Sequence, residues 1–209
     1  MIQNIKDWIK EGVINTSTGR QIELLNPQPE QIDIEDIAST LSKICRFGAR
    51  IKPFYTVAQH SILVAAMCEE NKNNQFGGLL HDATETYLGD VAKPLKDLLG
   101  FSFKRMEERF DKVIFEKYGV LPICVKRAKQ WDRDLMLCEF DFLVCHNGDS
   151  LSYQAANNNE TPLFIEIVKM AVHKFNLNRI ASIKAEKCHI WDMETAEAAF
   201  HLVYEQLKP

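Results

Sequence analysis

Ile34, Ile37, Ala38, Leu41 and Ile44 recur at steps of three and four residues, the period of a helix with one buried face. Helical texture returns in "VAQHSILVAAMCEENK" (57–72), "SFKRMEERFDKVIFEKYG" (102–119) and "PICVKRAKQWDRDLMLCEFDFLVCHNG" (122–148), and again at about 161–176 and 192–207. Strand-like alternation is rare, and no repeat is found. The spacing therefore predicts an all-α fold, a compact non-repeating helical bundle. With 209 residues and 46% hydrophobic content, a single domain over 1–209 has apolar material enough for its core.

Punctuation refines the elements. Asp33, Glu35 and Asp36 crowd a first helical turn, where the macrodipole favours them. Gly48 and Pro53 break that helix, and Thr56 can cap the next. "QFGGLLHDATETYL" (75–88) reads as a third helix, whose two glycines weaken it and point to close packing on a neighbour. "GDVAKPLKDLLG" (89–100) is expected as a turn and a short helix, Gly119 as a stop, Pro122 near a helix start, and "DSLSYQAANNNE" (149–160) as a polar loop.

Charge and composition exclude some functions. A net charge of −4 argues against extended nucleic-acid binding, although it leaves room for one phosphate in a local basic pocket. No apolar run approaches the ~18 residues of a membrane span. The N-terminal "MIQNIKDWIKEGVINTSTGR" has no apolar core of a signal peptide. Six cysteines without a CxxC spacing, in a chain this long, suggest reduced and mostly buried thiols and hence a cytoplasmic location.

The stretch "GGLLHDATETYLGD" (77–90) turns from apolar to polar within four residues, setting His81, Asp82, Glu85 and Asp90 beside a buried segment. On a helix, His81 and Glu85 would share a face. His60 lies on the apolar face of the preceding helix. Asp132 lies in the long helix after Pro122, with Glu139 seven residues later on roughly the same face. Asp134 would face away. His60, His81, Asp82 and Asp132 could thus converge in a bundle core. Two imidazoles and two carboxylates suit an open-shelled octahedral divalent ion, Mn²⁺, Co²⁺, Ni²⁺ or Fe²⁺, with Mg²⁺ or Zn²⁺ as further candidates. Such an ion offsets the desolvation of its ligands, lowers the pKa of bound water and polarises a phosphoryl oxygen.

The order His60, His81-Asp82, Asp132 resembles the HD-domain metal-dependent phosphohydrolases. "CRFGARIKPFYTVAQHS", "LLHDATETYLGDVAKPLK", "FKRMEERFDKVIFEKYG" and "DRDLMLCEFDFL" are similar to the small bacterial and phage members related to 5′-deoxynucleotidases, over about residues 16–145. The resemblance implies a nucleotide substrate, with Arg46 on its phosphate, Lys96 as a second cation, and Glu85 and Asp90 near the phosphate and leaving group. Phe47, beside Arg46, is a candidate sugar or base contact. Trp131 departs from the pattern, since relatives usually carry a small residue before the aspartate. The expected reaction is removal of the 5′-phosphate from deoxyribonucleoside monophosphates. The alternatives are deoxynucleoside triphosphate hydrolysis, using Arg20, Arg50, Lys52 and Lys93 as extra cations, and a non-catalytic nucleotide sensor. A homodimer is expected by analogy alone.

Overall fold

The computed structural model describes residues 12–68, 71–158, 160–183 and 189–209. The N-terminal stretch up to residue 11, including Trp8, and Cys188 lie outside the described residues.

The chain opens with a small antiparallel hairpin, β1 (Val13–Asn15) and β2 (Gln21–Glu23), with Ile14 opposite Ile22. Three-residue strands carry too little alternation to be read from sequence, and tertiary contact holds them. Ile22 is fully buried. The hairpin turn is clasped by the buried Asp36 carboxylate, which accepts hydrogen bonds from Ser17 Oγ (2.8 Å), Thr18 N (2.9 Å) and Thr18 Oγ1 (2.6 Å). Asp36 belongs to α1 (Ile34–Leu41), which Asp33 caps by accepting from Glu35 N.

The rest is helical, as the apolar spacing predicts. α2 (Val57–Met67) is capped by Thr56 and buried on every side from Val57 to Ala66, which makes it the axis of the bundle. α3 (Lys72–Leu79), α6 (Pro122–Glu139), α8 (Leu163–Lys174) and α9 (Met193–Leu207) pack around it. Gln59 fastens the C-terminal segment to α2, donating to His189 O (2.7 Å) and accepting from Trp191 N (2.9 Å). The buried apolar residues, from Ile22 to Leu207, form one continuous core.

Two elements depart from expectation. The helix expected over 75–88 is interrupted: α3 ends at Leu79, and i→i+3 bonds from Ala83 N to Leu80 O and from Glu85 N to Asp82 O tighten the chain into a turn. A separate short helix, α4 (Glu85–Leu88), follows. The segment 89–118 follows expectation: α5 (Lys93–Tyr118) is broken at Gly100 (φ 67°, ψ −149°) into a short first part and a longer second one, and Gly119 ends it in a left-handed cap. The expected loop at 149–160 contains α7 (Ser150–Ala156), nucleated by Asp149, which accepts from Leu151 N. Beyond Glu139 the long helix continues as a wide π-type turn, Phe140–Cys145.

The expectation of mostly buried thiols holds only for Cys68 and Cys124. Cys45 and Cys138 are half-buried, and Cys145 is exposed. Among the described residues no helix is long and apolar enough to cross a membrane.

Candidate metal centre

Close packing brings the candidate residues together. α3 lies against both α2 and α6 through its glycines. A Cβ on Gly77 would come within 2.9 Å of the Cys124 carbonyl carbon, and one on Gly78 within 3.0 Å of Ala65 Cα. The missing side chains let the backbone of α3 sit on its neighbours, so the turn that follows meets α2 and α6.

There, His60, His81 and Asp132 each offer one ligand atom, all within 4.8 Å of one another. Asp82 adjoins this trio: its Oδ2 lies 3.1 Å from His81 Nε2 and 3.7 Å from His60 Nε2. His60 Nε2 is 3.1 Å from Asp132 Oδ1, and His81 Nε2 is 3.8 Å from it. Asp134, by contrast, takes both its carboxylate contacts from Gln130.

The outer nitrogens settle the tautomers. His81 Nδ1 is 2.7 Å from Gly78 O, a carbonyl that can only accept, so Nδ1 carries the proton. His60 Nδ1 is 2.6 Å from Glu139 Oε1. Glu139 is fully buried and also accepts from Tyr55 Oη (2.6 Å) and Arg46 Nε (3.2 Å). Burial pushes its carboxyl up, but Arg46 and His60 outweigh that and hold it below the usual range, so it too is an acceptor. Both Nε2 atoms therefore face the cluster, where the neighbouring oxygens are acceptors, and each offers a lone pair whenever its ring is neutral. Among the described residues the buried His81 Nε2 has no aligned hydrogen-bond partner.

The charge balance agrees. Burial opposes charge on His81, yet Asp82 and Asp132 raise its pKa well above the ordinary value. Burial likewise opposes ionisation of Asp82 and Asp132, and the imidazoles, with Arg46 beside Asp82, draw both down. The pocket favours positive charge between these four side chains, which a proton or a metal cation can supply.

The remaining candidates ring this cluster. Arg46 bridges Glu139 and Asp82, with Nη1 3.5 Å from Asp82 Oδ2. Its loop returns on itself through Arg46 N to Tyr55 O (2.9 Å), which sets Tyr55 beside Arg46. Phe47 is half-buried in a left-handed conformation (φ 57°, ψ 23°), its ring 6.4 Å from that of Phe140. The break after Leu79 means that His81 and Glu85 do not share a helix face as expected. Glu85 heads α4 instead, buried, with Oε2 unpartnered among the described residues. Burial, then Asp82 and Asp90, raise its carboxyl well above the usual range. Asp90 is raised as well, chiefly by burial. Lys96 reaches Glu107 (2.8 Å) and lies 3.9 Å from Glu85. Glu139 and Tyr55 were not among the expected site residues. The distance from Asp132 to Glu139 along one helix was the available sign.

Fold and site together define an all-α bundle with a partly buried histidine–carboxylate cluster where α2, α6 and the turn after α3 meet. The chain belongs to the family of the uncharacterized protein YfdR of Escherichia coli K12, to which it is 40% identical over 126 residues, 60% of this chain and 69% of that protein. An uncharacterized protein of Rhodobacter capsulatus is 34% identical over 121 residues, 53% of this chain and 62% of its own length. No protein-family model matches the sequence.

Proposed function

We propose that this chain is a metal-dependent phosphohydrolase of the HD type that removes the 5′-phosphate from deoxyribonucleoside monophosphates. One observation carries the reading: each imidazole spends Nδ1 on an acceptor, so that His60 and His81 present both Nε2 atoms to Asp132 and Asp82. Histidine ligands of metals are oriented in this way. His60, His81, Asp82 and Asp132 would hold one divalent ion. When bound, that ion supplies Lewis acidity to a phosphoryl oxygen and to water.

The chain's own residues account for the rest. Arg46, fixed by Glu139, turns its fork toward the phosphoryl oxygens, and Lys96 adds a second positive charge. Glu85 orients water or phosphate. Asp90, whose raised pKa keeps a proton available nearer neutrality, protonates the leaving 5′-oxygen. Two of the four further cations named for a triphosphate are engaged elsewhere. Arg20 is tied to Asp33 (2.6 Å) and Thr18, and Lys93 pairs with Asp97 in solvent.

The test is a panel of deoxy- and ribonucleoside mono-, di- and triphosphates with Mn²⁺, Co²⁺, Mg²⁺ and Zn²⁺. Phosphate release from the deoxy monophosphates supports the proposal. Release of triphosphate from dNTPs would replace it with the second enzymatic reading. Nucleotide binding without turnover under any metal would make the chain a sensor.

A further inference from the structure

We propose that Glu139 is a positioning residue whose single carboxylate sets both halves of the candidate site, the imidazole of His60 and the guanidinium of Arg46. The inference rests on the phosphohydrolase reading above and deepens it.

Glu139 ends α6, two turns after Asp132, so one helix touches both nitrogens of His60: Asp132 Oδ1 at Nε2 (3.1 Å) and Glu139 Oε1 at Nδ1 (2.6 Å). The second oxygen, Oε2, accepts from Arg46 Nε (3.2 Å), which leaves the two terminal nitrogens of the guanidinium for other partners. Tyr55 Oη donates to Oε1 (2.6 Å) and holds the carboxylate in place. A fully buried carboxylate requires such a set of donors, and here the donors are a candidate metal ligand, a candidate phosphate ligand and one phenol. An acceptor on a ligating histidine's far nitrogen fixes its tautomer and raises its basicity. An acceptor on Arg Nε fixes the plane of the fork.

The test compares folded, full-length Glu139→Gln, Arg46→Met and Tyr55→Phe with wild type. Calorimetric titrations measure Mn²⁺ binding, and then inorganic phosphate binding to the Mn²⁺-loaded protein. Glu139→Gln should weaken Mn²⁺ binding by about 10- to 100-fold and phosphate binding as well. Arg46→Met, which keeps the tie to His60, should lose phosphate binding and keep Mn²⁺. Tyr55→Phe, which removes a donor that serves neither ligand, should change both least. If Glu139→Gln fails to fold, long-range proton–nitrogen spectra of Zn²⁺-loaded wild type decide, with the His60 proton expected on Nδ1. A folded Glu139→Gln with wild-type affinities overturns the inference and leaves the phosphohydrolase reading standing, whereas a His60 proton on Nε2 overturns both, because that nitrogen could then hold no ion. A wild-type protein that binds neither Mn²⁺ nor Zn²⁺ overturns that reading, and the inference with it.

Discussion

Replacing Gly77 by alanine should damage the candidate site from a distance. The new Cβ would lie 2.9 Å from both the carbonyl carbon and Cβ of Cys124, and 3.1 Å from Val125 N. Backbone atoms cannot rotate aside, so α3 and α6 must separate by roughly 0.5 to 1 Å to restore ordinary carbon–carbon contact. Overpacking against rigid neighbours costs about 1–3 kcal/mol, and a main-chain clash belongs at the upper end. Alanine recovers about 1 kcal/mol of helix propensity. The net loss is about 2 kcal/mol, a fall of about 4–8 °C in Tm for a chain of this size. The ligands suffer more, because His81 and Asp82 follow α3 directly while Asp132 sits on α6, and a site tolerates only about 0.5 Å of misplacement. Mn²⁺ affinity should therefore fall by at least about tenfold, the change typical when a ligand's support is lost. Thermal unfolding by circular dichroism and a Mn²⁺ titration measure the two effects. The exposed Asn73→Ala on the same helix is the control for propensity alone. A Gly77→Ala protein that melts no lower than wild type and binds Mn²⁺ equally would refute the claim that this contact sets the site.

Other consequences can be checked more briefly. Glu85→Ala should abolish turnover and keep metal, whereas Asp82→Ala should lose both; metal analysis beside activity decides, and a metal-free Glu85→Ala would make Glu85 a ligand. Phe47→Ala should narrow the roughly 10- to 100-fold preference for deoxy over ribo substrates that an unpartnered 2′-hydroxyl against an aromatic face would produce, while Arg46→Ala weakens both alike; kcat/KM for a matched pair reads this, and an unchanged ratio removes Phe47 from the site. Asp36→Asn should cost about 1–3 kcal/mol at neutral pH. Burial pushes the Asp36 carboxyl up, but Thr18, Thr16 and Ser17 together leave it below its ordinary value. Its stabilisation is thus complete above about pH 4 and fades as the pH falls through the lowered native value, so denaturant curves of wild type and variant should converge in acid.

Much of this was legible in the sequence because it depends on local pattern. Thr56 capping, Gly119 as a stop and Pro122 at a helix start follow from the chemistry of helix ends. The two glycines of "FGGLL" were readable as a close contact. The turn at His81 was not, because Leu80, Ala83 and Thr84 offer no breaker, and only packing between α2 and α6 decides where α3 stops. Asp149 before "SLSYQAA" was a usable cap signal obscured by the polar residues around it. Glu139 was visible at helical spacing from Asp132. Its role depends on Tyr55 and Arg46, which lie 84 and 93 residues away along the chain and meet it through the return of one loop.

The two imidazoles are anchored by unlike materials. His60 leans on a carboxylate, which a single codon change can replace. His81 leans on the main-chain carbonyl of Gly78, which no substitution deletes, in a residue too tightly hemmed by Ala65 to accept a side chain without a shift. Heritable variation can therefore retune the first imidazole and must leave the second nearly as it is. In a lineage under changing demands the cluster has one adjustable arm and one fixed arm, and drift in its chemistry should be sought around position 139 before position 78.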